Sequence, residues 1–222
     1  MTDLHVLTLD PESGPAPTAT VVAIHGLGAS AEDLVGVADA LALPGVRWVF
    51  PQGWMPVVHA FGQGWAWFEM PPRHESGIRE SRRRLHGLLD ELAASGRAPE
   101  RTVVCGFSQG GVLTLDAGLR YPRRLAGLAP LSGFLFDPER LPAELAPAQA
   151  GTPVFLAHGT FDDVVPVDGS RVAERALREA GVPVELHEYP MGHQIIEPEL
   201  RDLGRFLVRV LALDAWGRGD RL

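Results

Sequence analysis

The sequence predicts an α/β protein: a mostly parallel, doubly wound sheet of about seven strands with helices on both faces. Three observations predict it. Short runs rich in Val, Leu or Ile recur without polar alternation, as buried parallel strands do. Between them lie segments whose apolar residues repeat at helical spacing. The 222 residues, with no internal repeat or linker, suit one domain spanning 1–222 with a core large enough to stand alone.

In chain order, a strand is expected at 4–9, then a hairpin-like connection through Pro11–Pro17, then strands at 21–25 and 46–50 on either side of a helix at 31–42. The next helix, 78–95, places Ile78, Leu85, Leu88, Leu89 and Leu92 on one face and meets Gly96 as its cap. Arg101–Cys105 carries a buried strand at 102–105. Val112, Leu115 and Leu119 then mark a helix over 109–121, which Pro122 ends. Strands follow at 125–131, 153–157 and 183–189, with a helix at 170–180 and a last one at 198–213. That last helix carries Leu200, Leu203, Phe206, Leu207, Val210 and Leu211, with Pro198 near its start. The Pro/Ala-rich tract 138–153 reads as a long loop or short-helix excursion.

Composition bounds the partners. A formal net charge of −8 argues against nucleic acid and against a strongly anionic membrane surface. Arg79, Arg82, Arg83 and Arg84 read as one solvated helix face. One cysteine, Cys105, forms no intrachain disulfide and sits in an apolar strand, which suits inert burial. The first residues lack the basic start and apolar core of a signal peptide, and no uncharged apolar stretch reaches spanning length. The expectation is a soluble cytoplasmic protein without membrane insertion.

The chemistry begins at Gly106-Phe107-Ser108-Gln109-Gly110-Gly111, between a strand and a helix. Strand, tight Gly-x-Ser-x-Gly turn and helix in that order form the nucleophile elbow of an α/β-hydrolase, with Ser108 as nucleophile. A serine hydroxyl needs a base to take its proton and an acid to orient that base, in the chain order Ser, acid, His. Three histidines follow Ser108. His158 precedes the candidate acids and reads as a structural loop residue, and His187 lies inside a strand. His193, in the loop Met191-Gly192-His193-Gln194 after the last strand, fits the base. The acid falls in the loop after 153–157, where Asp162 and Asp163 stand side by side and spacing does not choose between them.

An oxyanion needs two preorganised donors. One is the backbone N–H of Gln109, at a helix start. The other comes from His25-Gly26-Leu27-Gly28-Ala29, through Leu27, with His25 bracing the loop. The same loop, Gly26-Leu27-Gly28-Ala29-Ser30-Ala31, matches a dinucleotide-binding fingerprint. The acidic residue that an oxidoreductase needs about 20 positions on is missing from Trp48-Val49-Phe50-Pro51-Gln52, which disfavours that reading. His74-Glu75 has no second histidine at helical spacing, and one cysteine builds no zinc site, so no metal or cofactor is expected.

The elbow, the His-Gly-Leu-Gly loop, the His-Gly-x-x-Asp-x-Val-Val-Pro segment from His158 to Pro166 and the late Gly-His together resemble the phospholipase/carboxylesterase family of small α/β-hydrolases, which includes acyl-protein thioesterases and bacterial carboxylesterases. The resemblance runs from about residue 20 to the C-terminus. It implies Ser108, Asp162 and His193 as a triad, with Leu27 and Gln109 forming the oxyanion hole, and it selects Asp162 over Asp163. It implies a possible homodimer too, and it matches Trp67-Phe68-Glu69 to an element near the family's acyl groove.

Trp54, Met55, Phe61, Trp65, Trp67, Phe68 and Met70 crowd one Gly/Pro-interrupted loop between the third strand and the 78–95 helix. Trp54, Trp65, Trp67 and Phe68 are expected to wall an apolar substrate pocket, with Phe134 and Val165 completing it. The implied activity is hydrolysis of carboxylic esters with short to medium acyl chains. Acyl-thioesterase or lysophospholipase work on the same machinery is the alternative, and a non-catalytic hydrolase-fold binding protein is the reading of another class.

Overall fold

The structure is a computed structural model that describes residues 4–11, 16–59 and 62–213. Among the described residues, nine strands and six helices follow in the order β1 (Val6–Leu9), β2 (Ala19–Ile24), α1 (Val35–Leu41), β3 (Val46–Pro51), β4 (Met55–His59), β5 (Gly62–Ala66), α2 (His74–Ala94), β6 (Thr102–Phe107), α3 (Gln109–Arg120), β7 (Gly127–Leu131), α4 (Leu141–Glu144), β8 (Val154–Gly159), α5 (Asp168–Glu179), β9 (Val184–Tyr189) and α6 (Glu197–Val210). Seven strands make one sheet in the order β1-β3-β2-β6-β7-β8-β9. Only β1 runs antiparallel to its neighbour. This is the α/β-hydrolase fold the elbow predicted.

Strand alternation divides the core. Val22, Ile24 and Val104 point to one face, where they meet α2, α3 and α5. Val21, Ala23, Val103 and Cys105 point to the other, against α1 and α6. Burial on both sides explains why these strands show no polar alternation in sequence. It also pushes the Cys105 thiol up to about 12, so Cys105 is an inert core group. No helix among the described residues is long and apolar enough to cross a membrane.

Two expectations are corrected. The aromatic stretch is not a loop: β4 and β5 pair as an antiparallel hairpin, Met55 opposite Ala66 and His59 opposite Gly62. Residues 12–15 of the Pro11–Pro17 connection lie outside the described residues, and the strands it joins are not hairpin partners. Strand β2 has both edges taken, by β3 and β6, so β1 pairs with the free edge of β3. The tract 138–153 contains α4 between two short 3-10 turns, as the excursion reading anticipated.

Helix α3 is buried from Gln109 to Leu119 because it packs at close range between the sheet and α2. A methyl group on Gly110 would lie 1.9 Å from the carbonyl oxygen of Ile24, and one on Gly106 would lie 2.4 Å from that of Gly110. Gly110→Ala is therefore expected to abolish soluble expression or lower the melting temperature drastically. Gly87, in α2, has open space around its missing methyl. Gly87→Ala should stabilise by about 0.5–1 kcal/mol, the helix-propensity difference, in urea unfolding.

Glu199 is wholly buried on α6. One oxygen accepts from the N–H of Ile196 at 3.4 Å and the other has no hydrogen-bond partner among the described residues. Burial pushes its carboxyl up to about 8, against the bond from Ile196. The folded protein thus holds a proton that the unfolded chain releases near 4.5, and stability falls as pH rises from about 5 through 8. At about 1.4 kcal/mol per unit of displacement, the loss amounts to several kcal/mol. Glu199→Gln should flatten this part of the stability–pH curve, read as the difference between variant and wild-type urea midpoints across that window.

Candidate active site

Strands β2, β6, β8 and β9 run parallel, so the loops at their carboxyl ends open on the same edge of the sheet, where ligands bind in open α/β sheets. Ser108 follows β6 with φ 57°, a left-handed conformation costly for a serine. It persists because the Ser108 N–H donates to the carbonyl of Leu131 at 2.9 Å and the glycines let α3 start at once. From the loop after β9, His193 places Nε2 3.0 Å from Ser108 Oγ and Nδ1 2.7 Å from Asp162 Oδ2. The Phe107 ring packs 4.7 Å from the imidazole, centroid to centroid.

Asp162 and Asp163 are separated by their surroundings. Asp162 is buried and its Oδ1 accepts the N–H groups of Val164, at 3.0 Å, and Val165, at 2.8 Å, while Asp163 faces solvent. Burial alone would raise the Asp162 carboxyl. The Val165 and Val164 N–H groups and the bond from His193 outweigh it and hold the carboxyl below its ordinary value. Ionised Asp162 accepts from His193 Nδ1–H, which leaves Nε2 as the acceptor facing the Ser108 hydroxyl.

The other lip of the site is the turn after β2. Gly26 passes so close that a methyl there would lie 3.2 Å from Ser108 Cβ. His25 is buried and braces this turn. Its Nδ1 lies 2.7 Å from the Gly26 carbonyl, while its Nε2 accepts the Gly53 N–H at 2.9 Å. The pattern fixes a neutral Nδ1–H tautomer, and burial lowers the group's proton affinity despite the raising pull of that carbonyl. The Trp67 indole N–H donates to the His25 carbonyl at 3.0 Å. The hairpin closes the brace: Gly28 N–H donates to Trp65 O at 2.8 Å and Trp65 N–H to Ala29 O at 3.0 Å. Gly64 permits this approach, since a methyl there would lie 1.9 Å from the Gly28 carbonyl oxygen. The Gln109 side chain accepts from Trp67 N–H and donates to Phe68 O, tying the hairpin to the residue after Ser108.

Leu27, Leu34, Phe107 and Ile195 supply most of the apolar wall of an open cleft of about 400 Å³ in which Ser108 and His193 lie, with Asp33 and Gln194 at its polar side. None of the six expected pocket residues lines it. Trp67 and Phe68 are core. Trp54 donates to Trp67 O and Ser81 Oγ, and with Trp65 borders a separate hollow of about 250 Å³. Phe134 packs on the core beside Gly169, and Val165 contributes its N–H to Asp162 and its carbonyl to His158. Phe61 lies outside the described residues, and Met70 is exposed. These aromatics brace the site because buried indole N–H groups need acceptors, which those of Trp54 and Trp67 find in Trp67 O, Ser81 Oγ and the His25 carbonyl.

The phospholipase/carboxylesterase family profile matches residues 11–211. Among curated relatives, a carboxylesterase of Arabidopsis thaliana named SOBER1 is 33% identical over 85% of this chain and 89% of its own. Acyl-protein thioesterase 1 of Mycosarcoma maydis is 33% identical over 95% of this chain and 99% of its own. Among solved structures, esterase PE8 matches with a TM-score of 0.83 and 33% identity over 94% of this chain and 99% of that one. The Bacillus cereus carboxylesterase, at 18% identity and a TM-score of 0.76 over 94% and 95% of the two chains, shares the fold. The chain belongs to the phospholipase/carboxylesterase family and is a carboxylesterase-type hydrolase of the α/β-hydrolase fold.

Proposed function

We propose that the protein hydrolyses carboxylic esters of short to medium acyl chains through an acyl-enzyme on Ser108. The observation that carries this reading is the unbroken chain Ser108 Oγ, His193, Asp162, with contacts of 3.0 and 2.7 Å. His193 takes the Ser108 proton as Oγ attacks the ester carbonyl. Backbone N–H groups of Leu27 and Gln109 receive the oxyanion, the latter aided by the start of α3. Asp162 orients His193 and balances its charge, and the imidazolium then donates to the leaving alcohol. Water repeats the steps to release the acid.

The open cleft with apolar walls supports a small neutral acyl ester, and the proposed scheme uses no cofactor. Every group in the scheme comes from one chain, so a second subunit is not needed. The buried free thiol of Cys105 suits a reducing compartment, and we place the enzyme in the cytoplasm. Thioester cleavage is the second reading, supported by the thioesterase name of the relative from Mycosarcoma maydis.

Hydrolysis of p-nitrophenyl esters from acetate to palmitate tests the proposal. The rate should peak at short or medium chains, and Ser108→Ala should lose at least ~10³-fold in kcat with an unchanged far-UV spectrum. Asp162→Asn should cost about 10²–10⁴-fold, while Asp163→Asn stays within a few-fold of wild type. A peak at palmitate, or equal losses in the two Asp variants, would overturn the chain-length or the acid assignment respectively.

A further inference from the structure

A second imidazole stands behind the acid. His158, near the end of β8, is wholly buried, and both ring nitrogens are engaged. Nδ1 lies 2.6 Å from Ser170 Oγ on α5. Nε2 lies 2.8 Å from the Val165 carbonyl oxygen and 3.4 Å from Asp162 Oδ2. Ser170 Oγ in turn lies 2.9 Å from the carbonyl oxygen of Gly133, in the loop after β7. A methyl on Gly133 would lie 2.7 Å from the backbone of Gly111, so this chain of contacts runs from the acid to the start of α3 behind Ser108.

The protons do not suffice for every contact at once. Carbonyl oxygens only accept, so bonds to both Val165 and Gly133 plus one between His158 and Ser170 need three protons. A neutral imidazole and one hydroxyl supply two. Burial holds His158 below the ordinary imidazole range despite the raising pull of the Val165 carbonyl and Asp162. The other titratable groups around it are His193, from the loop after β9, and Glu188 on β9, which is paired with Arg171 of α5 at 2.7 Å. With one proton, the ring must choose. A lone pair on Nε2 would face two oxygens, so the proton sits there, and the Ser170 hydroxyl donates to Nδ1 at the shorter of its two contacts.

We propose that His158 and Ser170 form a positioning pair for the triad acid. Ser170 fixes the tautomer, and His158 Nε2–H clamps the Val165 carbonyl and faces Asp162 Oδ2. The clamp holds the turn whose N–H groups bind Oδ1. The shared proton draws charge from Oδ2 and so limits how tightly Asp162 grips the Nδ1 proton of His193. Removing that donor should make His193 more basic and move the acid limb of kcat/KM to higher pH. This rests on the triad reading given above.

The test compares two isosteres. Gln places an amide donor near the Nε2 position, whereas Asn places one near Nδ1. His158→Asn should lower kcat about 10-fold with KM within about two-fold, and shift the acid limb upward by roughly half a pH unit or more. His158→Gln should keep the wild-type limb and most of kcat. Ser170→Ala, the smaller change should the histidine variants fail to fold, should shift the limb in the same direction. NMR titration of the His193 ring protons reads the displacement without turnover. Coincident His193 titrations in wild type, His158→Asn and Ser170→Ala would overturn the proposal, even if melting temperatures fell. Wild type and Ser108→Ala run alongside separate the two failures: absence of a Ser108-dependent rate sinks the triad reading, and the titration still decides His158.

Discussion

The close approach of α3 to the carboxyl end of β2 is the constraint on which the rest depends. No side chain fits between Gly110 and the Ile24 carbonyl, and Gly106 sits under the same helix start. That contact forces the chain to turn within one residue, which puts Ser108 at φ 57° and turns its hydroxyl out over the sheet edge. The helix N-terminus is thereby delivered beside the hydroxyl, with its first N–H groups unused by helix pairing. The proposed nucleophile and the helix-start dipole beside it come from one packing arrangement.

A second layer keeps the opposite lip in place. The turn after β2 is glycine-rich and would be mobile alone, yet it is fixed at four points: the His25 ring on Gly53, the Trp67 indole on the His25 carbonyl, and two backbone bonds between the hairpin and Gly28–Ala29. Gln109 ties the same hairpin to α3 through both ends of its amide. The hairpin is thus the part that fixes the distance between the two lips, and its aromatics are spent on that task rather than on the cleft wall.

Legibility in the sequence follows from these physics. Unbroken apolar runs reported the sheet because its strands are buried on both faces, period-3.6 patterns reported the helices, and the elbow glycines are visible because no other residue fits. The hairpin was not legible: in Trp54–Phe68 the aromatics outnumber any strand alternation, and composition pointed to a pocket. The sequence between the paired His59 and Gly62, Ala60-Phe61, is not one of the common Gly-containing turn dipeptides. Spacing did not separate Asp162 from Asp163; the family resemblance selected Asp162, and the turn of the chain supplies the physical reason, since only that carboxylate receives two N–H groups. The cleft-lining residues Leu34 and Ile195 were missed because they also serve helix-period and loop patterns that read as core.

Three histidines sit around this edge, and their neighbours assign them different work. His25 faces one donor and one acceptor, both backbone groups, so a single neutral tautomer satisfies it and it has no proton to exchange. His158 faces carbonyl, carboxylate and hydroxyl oxygens in a dry setting, so its proton is shared but cannot leave for solvent. His193 alone has a carboxylate behind it, a hydroxyl before it and an open cleft beside it. A proton gained at its Nε2 is stabilised by Asp162 and can be handed onward. Burial and partner type, rather than the imidazole itself, separate a brace, a positioning group and a proposed base within one small region of the fold.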